Sequence, residues 1–267
     1  MTKYLIDTHA HLDMRINNAG EDETQNSNEQ VKEIIAEMEQ YGVKKVIIPS
    51  VEVKYLNRIS EIALKYDNVY SMVGIFPTEA KTYNDEVEEK LLETVKNNSK
   101  TVAVGEIGLD YYWDKEFNDV QKNVFIRQIK LANKLNLPIV VHDREAHKDS
   151  FDILNEYNIN SKVLFHCFSG SVEFMRECVK KGWYIAIGGV VTFKNAIKMK
   201  EVAKEVPLDK LVLETDSPYL TPVPYRGKPN KPAYVKFVAE EIAKIRNISF
   251  DEIAEITSKN AEKFFNI

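Results

Sequence analysis

Tyr4-Leu5-Ile6-Asp7-Thr8-His9-Ala10-His11 is the stretch on which the reading of this chain turns. A short apolar run passes into a polar segment that carries two histidines two positions apart. If the run is a β-strand, alternation sends His9 and His11 to one side, beyond the strand's carboxyl end. Two imidazoles converging from one strand end make half of a metal site. A His-x-His pair is short enough to recur by chance in a polar loop, so its weight depends on what the rest of the chain places at equivalent positions.

Outward from that stretch, short β-branched or apolar runs alternate with amphipathic segments of ten to twenty residues, a pattern of βα units on a parallel sheet. Candidate strands cover 4–7, 45–49, 69–75, 101–106, 138–142, 162–166, 183–188 and 211–215. Between them Val31, Ile34, Ile35 and Met38 recur at helical spacing before Gly42, and Leu56, Ile59, Ile62 and Ala63 repeat the pattern. Segments 85–97, 117–136, 148–157, 171–181, 194–205 and 231–246 read as helices, and 251–265 as an appended C-terminal helix. Eight strands, each followed by a helix, fit a (β/α)8 TIM barrel, one domain over residues 1–267. The polar segment 17–30, with four acids and no Lys or Arg, reads as a mobile surface loop unsuited to gripping phosphate.

Composition is that of an ordinary globular protein, 44% hydrophobic and 29% charged. A formal net charge of -5 excludes a protein that coats nucleic acid, because such binding rests on many cationic contacts to phosphates. Action at one end or one bond of a polyanion stays open. Two cysteines eleven apart, no basic-then-apolar leader and no run of membrane-spanning length predict a reduced, cytoplasmic protein with no membrane association. Nothing implies an obligate protein partner.

In a barrel of this kind the active site lies where strands end and loops begin. At those positions the chain places His9 and His11, Glu106, His142, His166 and Asp216, four of its five histidines among them. One such residue is most simply a satisfied polar group at a loop start; six at one mouth are not. Six ligands exceed the needs of a single zinc and suit two divalent ions about 3.5 to 4 Å apart sharing a carboxylate. Glu106, long and central, is the natural bridge. The expected sets are His9, His11, Glu106 and Asp216 on one ion, and Glu106, His142 and His166 on the other. Zinc, magnesium and manganese all suit such donors.

Five segments then carry a resemblance: Asp7-Thr8-His9-Ala10-His11, Gly105-Glu106-Ile107-Gly108-Leu109-Asp110, His142-Asp143-Arg144-Glu145-Ala146, His166-Cys167-Phe168-Ser169-Gly170 and Glu214-Thr215-Asp216-Ser217-Pro218. In order and spacing the chain resembles the TatD-like metal-dependent hydrolases, a deoxyribonuclease branch of the amidohydrolase superfamily, from Asp7 to about Val235. The resemblance implies a (β/α)8 barrel, two divalent ions and metal-dependent cleavage of phosphodiesters, typically in DNA. It assigns metal roles to the same six residues. The chain departs from the family at Gly74-Ile75-Phe76-Pro77-Thr78, where Gly-x-His-Pro-His is common and both histidines are missing here. That places substrate contact in question and leaves the metal ligands intact.

Arg144, two residues beyond His142, can face the site and meet a phosphate oxygen. Arg226 and Lys228 flank Gly227 in a Pro-rich loop and are candidates for a phosphate clamp. Tyr111, Tyr112 and Trp113 follow Asp110 and suit either a base-stacking surface or a cover over the barrel top. His147 reads as a surface or cap residue. Cys167, next after an inward His166, is expected to turn away from the mouth and pack.

The reaction these residues imply is phosphodiester hydrolysis through a hydroxide shared between the ions, with Asp216 and Glu106 as catalytic residues and DNA, at ends or single-stranded, as substrate. The alternative within enzymes is a binuclear hydrolase of a small-molecule amide, ester or lactone. A carboxylated Lys ending the fourth strand would favour that branch, and Glu106 stands there instead. A metal-binding barrel serving only as an interaction protein is the reading from another class.

Overall fold

The computed structural model describes residues 3–16 and 23–267. The elements run β1 (Leu5–Asp7), β2 (Met14–Ile16), β3 (Glu23–Gln25), α1 (Asn28–Gln40), β4 (Val43–Ile48), α2 (Leu56–Lys65), β5 (Val69–Val73), α3 (Asp85–Asn97), β6 (Thr101–Asp110) and α4 (Asn118–Leu135). They continue β7 (Ile139–Arg144), α5 (His147–Tyr157), β8 (Val163–Phe165), α6 (Val172–Lys180), β9 (Tyr184–Ile187), α7 (Ile197–Glu205), β10 (Leu211–Leu213), α8 (Val235–Arg246) and α9 (Phe250–Phe265). Eight strands pair in parallel in the order β1-β4-β5-β6-β7-β8-β9-β10. The first and last are stitched past their ladders: Thr8 donates its amide to the Leu213 carbonyl at 3.1 Å, and Ala10 bridges Ser217. The result is the expected (β/α)8 barrel.

Alternation along the strands divides the core in two. Ile6, Ile47, Met72, Ala103, Val140, Leu164, Ala186 and Val212, one from each barrel strand, fill the interior. Their neighbours Leu5, Val46, Val73, Val104, Val141, Phe165, Ile187 and Leu213 face the ring of helices. The C-terminal helix α9 is not a surface appendage. Its Ala261, Phe264 and Phe265 join the interior cluster, and Asn260 donates to the Leu208 and Leu211 carbonyls. Ser258 meets the Tyr4 carbonyl at the start of β1, so α9 closes the amino end of the barrel. Its own start is fixed by a capping box, in which Ser249 and Glu252 satisfy each other's amides.

Two expectations need correction. The fourth barrel strand does not stop at Glu106 but runs to Asp110, paired with β7 as far as Arg144. Within that strand Gly108 is a close-approach position: with φ +146, a Cβ there would lie 2.0 Å from the His142 carbonyl oxygen. Within the polar segment 17–30, Glu23–Gln25 pairs antiparallel with Met14–Ile16, and helix α1 begins at Asn28, capped by Ser27. Residues 17–22, the rest of that predicted loop, lie outside the described residues. No helix among the described residues is long and apolar enough to cross a membrane.

Candidate metal centre

At the carboxyl ends of the strands the barrel opens into a cavity of about 870 Å³. Its chemistry follows from the alternation that builds the interior. Val140 faces inward, so His142, two residues on, points the same way at the mouth; Leu164 and His166, then Val212 and Glu214, repeat the relation. His9 and His11 lie past β1 in backbone held from both sides. Ala10 donates to the Ile47 carbonyl at 3.1 Å, His11 to that of Ser217 at 2.8 Å, and Asp216 donates back to His9 at 2.9 Å. Beneath them the buried Asp7 carboxylate accepts the Thr215 amide at 2.9 Å and its hydroxyl at 2.6 Å, locking the first strand end to the last. Burial nonetheless pushes Asp7 well above the usual carboxylate range.

Glu106 stands in the centre, and its two oxygens face different imidazoles. One lies 3.1 Å from Nε2 of His9. The other lies 2.8 Å from Nδ1 of His142 and 2.8 Å from Nε2 of His166. Asp216 brings an oxygen to 3.7 Å from Nε2 of both His9 and His11. All six sequence-identified ligand candidates therefore meet at one place. Potential metal-holding groups are His9-His11-Glu106 and Glu106-His142-His166, with a third, His9-His166-Glu214, beside them.

The charges are tightly coupled. Burial would raise Glu106, but the facing imidazoles of His166, His9 and His142 outweigh it and hold the carboxyl well below its ordinary value. Burial would likewise lower His166, yet the carboxylates of Glu106 and Glu214 push it well above. His142 and His11 are raised against burial by Asp110 with Glu106 and by Asp216, respectively. His9, stacked at 3.8 Å on the His166 ring, is lowered by burial and by that neighbour's charge. Asp216 is lowered and stays ionised, because His11, His166 and His9 overcome its burial.

The donor set fits divalent metal. Both ring nitrogens of His9 and of His166 are buried and make no hydrogen bond, although Nε2 of each is close to a Glu106 oxygen. Buried polar atoms without partners are rare, and imidazole nitrogens crowded against a carboxylate without hydrogen-bond alignment are disposed as ligands.

Two contributors escaped the sequence reading. Asp110 accepts from Nε2 of His142 at 2.9 Å with one oxygen, and from the amides of Tyr112 and Trp113 at 2.9 and 2.8 Å with the other. Glu214, fully buried, accepts the Cys167 amide and faces Nδ1 of His166 at 3.5 Å. Such carboxylates orient ligand histidines. Their only local signal is position: Asp110 before an aromatic turn, Glu214 two residues beyond an inward valine.

Other expectations fare unevenly. Arg144 lines the cavity, with its guanidinium 4.2 Å from the Tyr112 ring centre. Arg226 and Lys228 do not. Arg226 lies 4.0 Å over Phe193 and donates to the Thr221 carbonyl at 2.9 Å, while Lys228 sits by Tyr225, so both are occupied in shaping their own loop. Cys167 does not turn away: it lines the cavity, because β8 ends at Phe165 and Cys167 takes a left-handed φ of 44° where strand alternation no longer applies. Phe76 and Thr78 line the wall, and the Phe76 ring meets that of His142 edge-on at 4.5 Å. His147 pairs with Asp143 at 2.6 Å, outside the ligand groups.

Residues 6–266 match the family model described as TatD related DNase. An uncharacterized metal-dependent hydrolase, YabD of Bacillus subtilis, is 44% identical over 98% of this chain and 99% of its own. YcfH of Escherichia coli, named in the same terms, is 34% identical over 99% of this chain and 96% of its own. Among solved structures, the TatD homologue YjjV of Escherichia coli superposes with a TM-score of 0.87 at 30% identity, covering 98% of each chain.

Proposed function

The chain belongs to the TatD-related DNase family of metal-dependent hydrolases, and from that footing we propose that it cleaves phosphodiester bonds of DNA, at strand ends or in single strands, with two divalent ions. The observation that carries this reading is the division of Glu106, whose two oxygens face separate imidazole sets while Asp216 stands beside the first. One carboxylate shared between two donor groups is what a two-ion site requires. Zinc, magnesium and manganese are the candidates.

When bound, such ions supply Lewis acidity toward phosphoryl oxygens and make a water more acidic. The chain's own residues do the rest. His9, His11, Glu106, His142 and His166 present their donors inward without rearrangement of the backbone. Asp216, held ionised, orients the attacking water and takes its proton. Arg144 meets a non-bridging phosphate oxygen. Glu52 and Glu79 also line the cavity, which disfavours a long polyanion lying across it and favours one end of a strand.

The test is the metal-reconstituted chain assayed on end-labelled single-stranded DNA, duplex DNA and a panel of carboxylic esters, amides and lactones. Release from an end of the single strand is expected, with elemental analysis approaching two ions per chain. The double variant His142→Ala/His166→Ala should lose about one of them. A single ion indifferent to that change defeats the two-ion reading, and activity confined to the carboxylic panel assigns the small-molecule branch instead.

A further inference from the structure

Trp113 is 68% exposed and lines the cavity; among the described residues no other large hydrophobic that is this open to solvent does both. Tyr112 stands against it at 4.9 Å and 87°. The Arg144 guanidinium lies 4.2 Å from the Tyr112 ring centre and 5.4 Å from that of Trp113. It is the lone lysine or arginine among the described residues lining the cavity. Among the described residues Arg144 makes no ion pair, although Glu52 and Glu79 line the same cavity.

This rim is rigid for an exposed one. Asp110 holds the amides of Tyr112 and Trp113 with one oxygen and His142 with the other. Gln121 of α4, itself buried, accepts the Asp110 amide at 2.8 Å and donates to the Asp110 and Asp114 carbonyls at 3.0 Å. Tyr111 donates to the Arg144 carbonyl at 2.9 Å, joining the two loops. A large aromatic kept in water on a fixed backbone, beside a cation and one carboxylate away from a metal-ligand candidate, has the form of a binding surface.

We infer that Trp113, Tyr112 and Arg144 form a nucleotide subsite, in which the indole takes one unpaired base and the guanidinium takes that nucleotide's phosphate. The inference rests on the phosphodiester reading and names the substrate it admits. An indole face stacks on any base and selects for flat aromatic surface over sequence. In a duplex both faces of each internal base are covered, so only an unpaired nucleotide offers one. A single cavity cation matches a single phosphate, and Arg144, two residues beyond His142 on β7, carries that phosphate toward the centre.

The experiment mixes the metal-loaded full chain with tetrathymidylate in a stopped-flow instrument and reads the tryptophan quench before turnover. Trp183 is only 6% exposed, so the signal reports Trp113. For Trp113→Ala, affinity is read by competition with a dye-labelled strand. It should be weaker by about 5- to 100-fold, and Trp113→Phe should retain most of the affinity. Replacing the base at one end by a tetrahydrofuran residue should cost the wild-type chain a similar factor and cost Trp113→Ala less than about two-fold, because both changes remove one contact. Arg144→Ala should flatten the salt dependence of log affinity by about 0.7, the share of one single-strand phosphate. If the wild-type chain binds and cleaves tetrathymidylate while Trp113→Ala binds it within about two-fold, the subsite is wrong and the phosphodiester reading stands. Equal wild-type affinity for base-bearing and both end-abasic strands leads to the same conclusion. A wild-type chain that neither binds nor cleaves any oligonucleotide removes the phosphodiester reading and the subsite with it.

Discussion

The amino end of the barrel and its mouth are made by the same eight strands a few residues apart. At the amino end, α9 presses Phe264 and Phe265 onto the interior apolar layer and caps loose carbonyls with Asn260 and Ser258. At the mouth, His166 and Glu214, each two residues past a member of that layer, are buried with both ring nitrogens and one carboxylate oxygen left unpartnered. One end gains stability from apolar contact and satisfied hydrogen bonds. The other keeps polar atoms out of water without protein partners, a cost that the sealed end offsets and that bound metal relieves.

The largest effect expected from breaking this contrast is at the sealed end. Phe264→Ala removes a fully buried ring from the plug and should destabilise the fold by about 3–5 kcal/mol, seen in denaturant unfolding, while turnover of the metal-loaded enzyme below its melting temperature stays near wild type. A stability loss under about 1 kcal/mol would mean that α9 does not seal the interior.

At the mouth the balance reverses. Asp216→Asn keeps the shape and one ligand oxygen but cannot take a proton, so turnover should fall by a factor on the order of 100 or more, with metal content little changed. Near wild-type turnover would remove Asp216 from proton transfer.

The smallest effect sharpens the electrostatic side. In the metal-free chain His166, His142 and His11 have raised pKa values against the pull of burial, so they keep their protons to higher pH than a free imidazole, and metal ligation must expel those protons. Titrating metal into the chain at pH 7 should therefore release protons, read from the dependence of calorimetric heat on buffer ionisation enthalpy. The sign for stability follows. These charged imidazoles support the metal-free fold fully below about pH 6.5, and their contribution is lost as pH rises through the raised values. Heats identical in all buffers would show that the histidines are neutral before metal arrives.

What could be read in advance was what period and position carry. Eight apolar runs spaced by amphipathic segments can bury themselves as a parallel barrel, and a histidine two residues past an inward apolar residue shares its face. That reasoning reaches His142 and His166 as long as the strand persists. It fails at Cys167, where a left-handed residue follows the strand, and past Glu106, where the strand runs on to Asp110 with Gly108 packed close against β7.

By itself, then, the sequence determined the number and order of the barrel strands, the six ligand-type side chains at the mouth and the central place of Glu106, because each depends on local period and covalent order. The tertiary structure alone decided how the two oxygens of Glu106 divide between His9 and the His142–His166 pair, and that Asp110 and Glu214 stand behind those histidines. It also decided that Arg144, unlike Arg226 and Lys228, reaches the cavity. The carboxylate–imidazole contacts join residues 32 to 97 positions apart in the chain, set by strand register and by loops braced from neighbouring elements, and local alternation has no means of specifying them.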